Sequence, residues 1–414
     1  MRTTCLAVTT IAMLSHVALA GDIRYRSFSA SAAIGPPAEA FAIKLQSISS
    51  NVLGPAGEVH FTKLTGIPTI PQQFAGDIIS AVAAGEMGGG FDAAYISGSD
   101  LNKTWGFLFN SGVPFGPSFD EYVGFLYSQG LPLVQGALER QHRDVVAIPI
   151  VGSPEQLSGY FAEPMNDVIG RRGIGLAGLC SQRWVLRYLP PGENVLGLAC
   201  DELVTKGKIA RKNITFIQAV AGGGSLVDAV IAGTLNGFEF ATPFDDVSQL
   251  FLGLTNPGTA GLHYVHTPGW QQQFLVTWMV VNKPVWNTLT SAQQLLMQTV
   301  AKEHVLSSYA DNVRAQGPAL HTILESNGHM VLTQWPKSDL ERLRDATIKF
   351  LNGRTDDATF PALDRNDYNA MLEALRLYVR ANDRYWDFRQ VTPALRFDDW
   401  ANKAGECWTA ICRK

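Results

Sequence analysis

The sequence is poor in charge. Only 17% of its 414 residues are charged, with 33 Lys and Arg against 37 Asp and Glu and a formal net charge of -4. Neutralising nucleic-acid phosphates requires a surplus of basic residues, so nucleic acid is excluded as a partner. Long hydrophobic runs are missing beyond the first twenty residues. A bilayer span needs about 18 or more apolar residues in a row, and the longest candidate, Phe274 to Val281, has the length of a strand. Catalytic signatures are absent as well: there is no G-x-S-x-G elbow, no H-E-x-x-H and no P-loop, which leaves a hydrolase without a nucleophile. Internal repeats and low-complexity segments are lacking. An apolar content of 46%, with 39 Gly and 21 Pro, excludes a disordered, collagenous or coiled-coil chain.

What remains is long enough for two lobes, since a domain typically holds roughly 100–150 residues. Arg2, an apolar stretch from Leu6 to Leu14 and then Ala18-Leu19-Ala20 before Gly21 form the pattern of a secretory signal peptide at residues 1–20. Cys5 lies too early to be a lipoprotein anchor. The expected location is therefore the periplasm. Of the 5 cysteines, Cys180, Cys200, Cys407 and Cys412 follow the signal. In an oxidising compartment a local pairing, Cys180 with Cys200 and Cys407 with Cys412, is preferred. The other reading of Cys180 and Cys200 is as small buried apolar residues.

Runs of β character occur at Ile23–Phe28, Glu58–Leu64, Phe91–Ile96, Asp144–Ile150, Ile214–Val220, Gly237–Ala241, Leu262–His266, Phe274–Asn282 and His329–Gln334. Between them, Ala38–Ile48, Gln72–Ala84, Asp120–Arg140, Gln182–Tyr188 and Leu226–Ala232 carry apolar residues at helical spacing. This alternation predicts an α/β fold with mostly parallel sheets. After Asn282 the pattern turns helical. Thr290-Ser291-Ala292-Gln293 is a capping box, opening a helix to about Asn327 that is either kinked at Gly317-Pro318 or split there into two helices in line. A second box, Ser338-Asp339-Leu340-Glu341, starts another helix towards Leu351, and a third runs from about Asn366 to Trp386. The long helix reads as a brace across both lobes or as an ordinary packing helix.

Some motifs fail on inspection. Gly173-Ile174-Gly175-Leu176-Ala177-Gly178 satisfies G-x-G-x-x-G, but the polar Asn166-to-Arg172 approach is not the core strand that a dinucleotide fingerprint requires. His263 and His266, three apart in a strand, point to opposite faces and do not form a metal pair. His304 is a surface or packing residue of the long helix.

Distinctive residues lie in Glu155 to Phe161, in Gly237 to Asp246 and in Pro268-Gly269-Trp270-Gln271-Gln272-Gln273. Alternation turns Glu239 away from Phe238 and Phe240, which makes it either a lone acid amid aromatics or a solvent-facing residue on an edge strand. Val113-Pro114-Phe115-Gly116 looks like the V-P-F-G segment of the solute receptors of TRAP (tripartite ATP-independent periplasmic) transporters. Gln156 to Phe161 resembles their Q-M-G-G-W-F stretch, with Tyr160 for Trp. Gly223-Gly224 through Asp228-to-Gly237 resembles their loop and helix before a strand. Glu239-Phe240-Ala241-Thr242-Pro243-Phe244-Asp245-Asp246 is similar to the E-W-x-x-P-W-N-D of the subgroup that binds 2-oxo or 2-hydroxy acids with a cation. Tyr264 to Trp270 resembles Y-Y-x-P-G-W. The likeness covers roughly residues 21 to 345.

The resemblance implies a two-lobed periplasmic binding protein, type II-like, with hinge strands, a long bracing helix and a helical C-terminal extension. Residues 21–145 and about 240–285 would form lobe 1, about 146–239 lobe 2, and 286–414 the long helix, a returning strand and the C-terminal helices. The protein would be no enzyme but a receptor closing over a small organic acid and releasing it to paired membrane permease subunits; a homodimer is compatible with this. Ligand contacts are expected from Gln156, Arg183, Glu239, Phe240 and Trp270. A sodium or calcium ion would be held by Gln156, Glu239, Phe240 and Gln272, the last a neutral amide where the family has an acid, which lowers the charge offered to the ion. Ala177 stands where most of the family has an arginine that forks onto the ligand carboxylate. Arg183 is the nearest substitute, with Arg171 and Arg172 as alternatives. The competing reading is a sensor for a membrane histidine kinase, or an enzyme, on the same fold.

Overall fold

The structure, a computed structural model, describes residues 22–27, 35–63, 78–85, 92–97, 115–141, 143–161, 174–177, 214–216, 237–238, 241–248, 262–270, 272–326, 330–337 and 362–391, with isolated helical positions between 340 and 352. Residues 1–20, the helical runs expected at Gln182–Tyr188 and Leu226–Ala232, and all the cysteines lie outside these.

Strands β1 (Asp22–Ser27), β2 (His60–Lys63), β3 (Ala93–Ser97), β4 (Val145–Ser153) and β10 (Leu275–Asn282) form a 5-stranded sheet in the order β2-β1-β3-β10-β4. Strands β5 (Gly159–Phe161), β6 (Ile174–Ala177), β7 (Ile214–Phe216), β8 (Gly237–Phe238), β9 (Tyr264–Thr267) and β11 (Val331–Gln334) form a 6-stranded sheet in the order β11-β9-β5-β8-β6-β7. The helices are α1 (Gly35–Leu53), α2 (Ile78–Ala84), α3 (Phe119–Phe125), α4 (Leu131–Arg140), α5 (Pro243–Asp246), α6 (Lys283–Thr288), α7 (Ser291–His321) and α8 (Ala362–Val391). A π turn, Leu126–Gly130, joins α3 to α4. Two sheets flanked by helices make the α/β, two-lobed architecture expected.

Strand β10 explains the core of the first lobe. It lies antiparallel between β3 and β4, which satisfy both of its edges, and a core cluster covers each of its faces, so the run Val276 to Val281 is buried throughout. Alternation sends Trp278 and Val280 into a cluster with Ile79, Phe125, Leu138 and the α8 residues Tyr368, Met371 and Leu375. Met279 and Val281 enter the opposite cluster with Phe41, Leu45, Trp286 and Met297. Each such side chain contributes roughly 1.5–3 kcal/mol by leaving water. The C-terminal helix is thus part of the first lobe. Its buried Asp367 takes a hydrogen bond from Arg140 Nε at 2.7 Å.

The long helix α7 opens as its capping box dictates: Thr290 Oγ1 accepts from Gln293 N (3.3 Å) and Gln293 Oε1 accepts from Thr290 N (2.8 Å). It runs 31 residues without a break at Gly317-Pro318 and ends in a π turn, Thr322–Ser326. Proline lacks the N–H of one helical bond, but the helix is held on both sides of it, by the bond from Phe244 N to Gln316 and by the buried Ala319, so it continues through Gly317-Pro318. Along its length α7 is tied to successive elements. Gln293 Nε2 donates to Gly57 O (3.2 Å), Glu303 pairs with Lys44, and a His304 ring nitrogen meets Pro37 O at 2.8 Å. Ser308 Oγ accepts from Gly152 N (3.1 Å), Asn312 Nδ2 donates to Gly152 O (2.9 Å), and Gln316 Oε1 accepts from Phe244 N (3.0 Å). Gly152 must be glycine here, because a Cβ would lie 2.5 Å from the Phe119 ring and 2.9 Å from Val305 O of α7. The helix therefore reaches from the first lobe to α5, beside the second, and is the brace rather than a simple packing helix.

Sheet membership departs from the expected lobe boundaries in two places. Strand β4, although it starts at the expected crossing, belongs wholly to the first sheet, so the chain crosses only after Ser153. Tyr264–Thr267, expected with the first lobe as part of 240–285, pairs in the second sheet with Gly159–Phe161 on one side and Val331–Gln334 on the other. Strand length does not encode a partner; the adjoining strands do.

Candidate functional site

The chain crosses between the sheets twice through short links, from β4 to β5 at 154–158 and from β9 to β10, where 268–270 and 272–274 are described. The two links lie against each other. Gln156 N donates to Gln272 O (3.2 Å), and Glu155 Oε1 accepts from Gly269 N (2.8 Å). Gly269 is required by this approach, since a Cβ on it would fall 1.8 Å from Gln156 O. Ser158 Oγ donates to Pro268 O, across the cis Thr267–Pro268 bond, and accepts from Trp335 Nε1 at 2.8 Å.

Trp270, at the tip of the second link, is buried and stacks on Phe115, with centroids 6.0 Å apart and planes inclined by 15°. Phe115 holds φ +61°, a region that non-glycine residues rarely adopt. On the other side, Tyr309 of α7 stacks on Phe119 with centroids 3.7 Å apart, and the charges of Asp120 and Glu155 add to burial in raising its pKa. The Glu155 carboxyl is raised in turn by burial, which the hydrogen bond from Gly269 only partly offsets. At the first-sheet ends of the two links, Ser153 Oγ and Gln273 Oε1 are buried with no hydrogen-bond partner among the described residues. Carboxylate, amide and hydroxyl oxygens on one hinge suit a hard cation, which takes oxygen ligands and would relieve such orphaned acceptors.

In the second lobe, Tyr160 donates to Asp246 Oδ2 (2.5 Å), and Asp246 Oδ1 accepts from Ala241 N (3.1 Å). Thr242 Oγ1 caps α5, donating to Asp245 Oδ2 (2.7 Å) and accepting from Asp245 N (3.4 Å). Asp245 Oδ1 is buried without a partner among the described residues, and burial, opposed by Thr242, pushes its pKa up to about 6.

Of the residues expected at the site, the structure brings Gln156, Trp270 and Gln272 together at the crossing. Glu239, Phe240 and Arg183 lie outside the described residues, as do Arg171 and Arg172. The backbone of β6 pairs Ala177, the position where the resemblance leads one to expect an arginine, with Phe238. Glu155, Phe115, Ser158 and Tyr309 are not among the expected site residues, although all but Tyr309 sit within stretches named above. His263 is exposed while His266 is buried against Phe161 and Trp335, and burial lowers the His266 pKa to about 4. Among the described residues no three His, Cys, Asp or Glu side chains cluster as a metal site, and no helix is long and apolar enough to cross a membrane.

No protein-family model and no curated protein matches the chain. Its fold is that of periplasmic solute-binding proteins of known structure. A TRAP transporter solute-binding protein from Bordetella bronchiseptica RB50, with calcium and picolinate in its active site, is 15% identical with a TM-score of 0.65, over 92% of this chain and 97% of that one. One from Pseudoalteromonas atlantica T6c, with sodium and pyruvate, is 15% identical with a TM-score of 0.65, over 91% and 99%. One from Colwellia psychrerythraea, with calcium and pyruvate, is 16% identical with a TM-score of 0.61, over 89% and 99%.

Proposed function

We propose that the protein is the periplasmic solute receptor of a TRAP-type transporter, a binding protein without chemistry of its own that closes over a small organic acid and releases it to membrane permease subunits. The observation that carries this reading is the meeting of both inter-sheet links at Gln156, Gly269 and Gln272. Residues on a hinge change their spacing when the lobes move, so a ligand that bridges them favours one lobe arrangement. Pyruvate and picolinate in the similar structures are acids with a second donor beside the carboxylate. The ligand class proposed here is accordingly a 2-oxo or 2-hydroxy monocarboxylate.

In this reading Gln156, Gln272, Glu239 and the Phe240 backbone hold sodium or calcium, with Glu155 supplying charge that Gln272 does not. When bound, the cation lends positive charge to the ligand carboxylate, the role that a side chain at Ala177 cannot fill. Arg183 provides the remaining anion contact, and Trp270, fixed by Phe115, closes over the apolar part.

The test is titration calorimetry with pyruvate and 2-hydroxy acids, with and without calcium or sodium, alongside small-angle scattering. Cation-dependent binding and a smaller radius of gyration are expected. Glu239→Gln should weaken binding roughly tenfold or more, and Arg183→Ala should nearly abolish it. Unchanged scattering at saturation, or full affinity in Glu239→Gln, overturns the site as described.

A further inference from the structure

A cavity lies at the free edge of the first lobe's sheet. Strand β4 ends the sheet order, and this edge is closed to further strands. The Gln135 side-chain amide takes the place of a neighbouring strand, with Nε2 donating to Val145 O (3.0 Å) and Oε1 accepting from Ala147 N (3.3 Å). Pro149, next on that edge, has no N–H to offer. Between α4, α6 and α7 this leaves a cavity of about 780 Å³, within the usual range for small-molecule pockets of roughly 300–1,000 Å³.

Its walls are apolar at Pro132, Ile148 and Trp286, and its rim carries Lys283 and Lys302. The two lysines are not equivalent. Lys283 is neutralised by Glu139 at 3.0 Å. Lys302 has no carboxylate partner among the described residues; its Nζ stands 4.9 Å above the centre of the Tyr127 ring, which holds the ammonium over the cavity wall. The Tyr127 hydroxyl is buried without a partner among the described residues. The remaining lining is mixed, with Gln135, Asn287, Gln298 and Thr299 beside the apolar walls; an apolar wall next to one unneutralised cation matches a ligand having an apolar body and a single negative charge.

We propose that this cavity is a second ligand site that binds a small amphipathic carboxylate, its apolar body between Pro132 and Trp286 and its carboxylate at Lys302. The site is separate from the hinge and does not depend on the transport reading.

The probe is 2-naphthoate, titrated calorimetrically against the whole protein, with its position mapped by hydrogen exchange. Protection is expected in 131–139 and 298–302, and not in 154–158 or 268–274. Lys302→Glu reverses an exposed charge and leaves the fold intact, so it should weaken 2-naphthoate roughly two- to fivefold. The uncharged 2-naphthamide should bind more weakly by a similar factor. No binding at millimolar probe, protection confined to the hinge links, or equal affinity in Lys302→Glu overturns the proposal. Equal binding of the amide and the acid refutes the charge assignment.

Discussion

Asp245→Asn tests whether the buried α5 carboxylate is held at a cost to the fold. Asp245 is 2% exposed, and its pKa stands at about 6 against an ordinary 3.8 because burial outweighs the two contacts from Thr242. In the unfolded chain the proton leaves near pH 4; in the folded protein it stays until about pH 6. Between these values the folded state binds more protons, so stability falls as pH rises through that window and then levels off. A shift of about two pKa units at about 1.4 kcal/mol each sets a ceiling of about 3 kcal/mol, and about 1–2 kcal/mol is the expected size once solvent relaxation is allowed for. The amide removes this dependence while its oxygen keeps the bond from the Thr242 hydroxyl. Its own NH2 group brings a desolvation penalty, but that is the same at every pH. Urea unfolding of both proteins at pH 4 and pH 8 should therefore show the variant gaining about 1–2 kcal/mol on the wild type between the two conditions. An identical difference at both values would refute the argument and show that the Asp245 charge is fully compensated.

Three further outcomes follow from particular contacts. Gly269→Ala drives a Cβ into Gln156 O; it should spread the hinge links and cut affinity for the best acid in the calorimetric screen roughly tenfold or more, and unchanged affinity would show that the close approach does not shape the site. Trp335→Phe deletes the 2.8 Å bond to Ser158 and should cost about 1 kcal/mol in urea unfolding; no loss would mean that water replaces the indole N–H without penalty. Arg140→Ala leaves Asp367, 3% exposed, without its guanidinium, and should cost about 1.5–3 kcal/mol in urea unfolding; no loss would mean that water solvates the carboxylate as well.

The strands of the first sheet were legible because each is an apolar or alternating run, and the start of the long helix was legible from Thr290 and Gln293 alone. Strands Gly159–Phe161 and Ile174–Ala177 were not. With only 3 and 4 residues, they are too short for a period to emerge. Local propensity leaves a break at Gly317-Pro318 open, since it does not show the tertiary contacts at Gln316 and Ala319 that hold α7 on both sides of the pair. Gln156, Trp270 and Gln272 could be named only through resemblance, because what joins them is backbone contact between segments more than a hundred positions apart. Glu155 is not distinguished by its residue type: its significance lies in the bond it accepts from Gly269 N, a partner 114 positions away.

The position of β10 carries a consequence for how the chain acquires its shape. The strand at 275–282 bonds to β3 on one side and β4 on the other, and β3 and β4 have no pairing to each other in the sheet order. During synthesis the first four strands of that sheet are complete long before the piece that joins them exists. The first sheet cannot close until five of the six strands of the second have been made, so its topology is of high contact order and correspondingly slow to form. A fragment ending before Phe274 should expose the faces that Trp278 and Met279 cover and remain uncollapsed or aggregate. Interleaving of the lobes along the chain thus makes folding a single late event, not two successive ones.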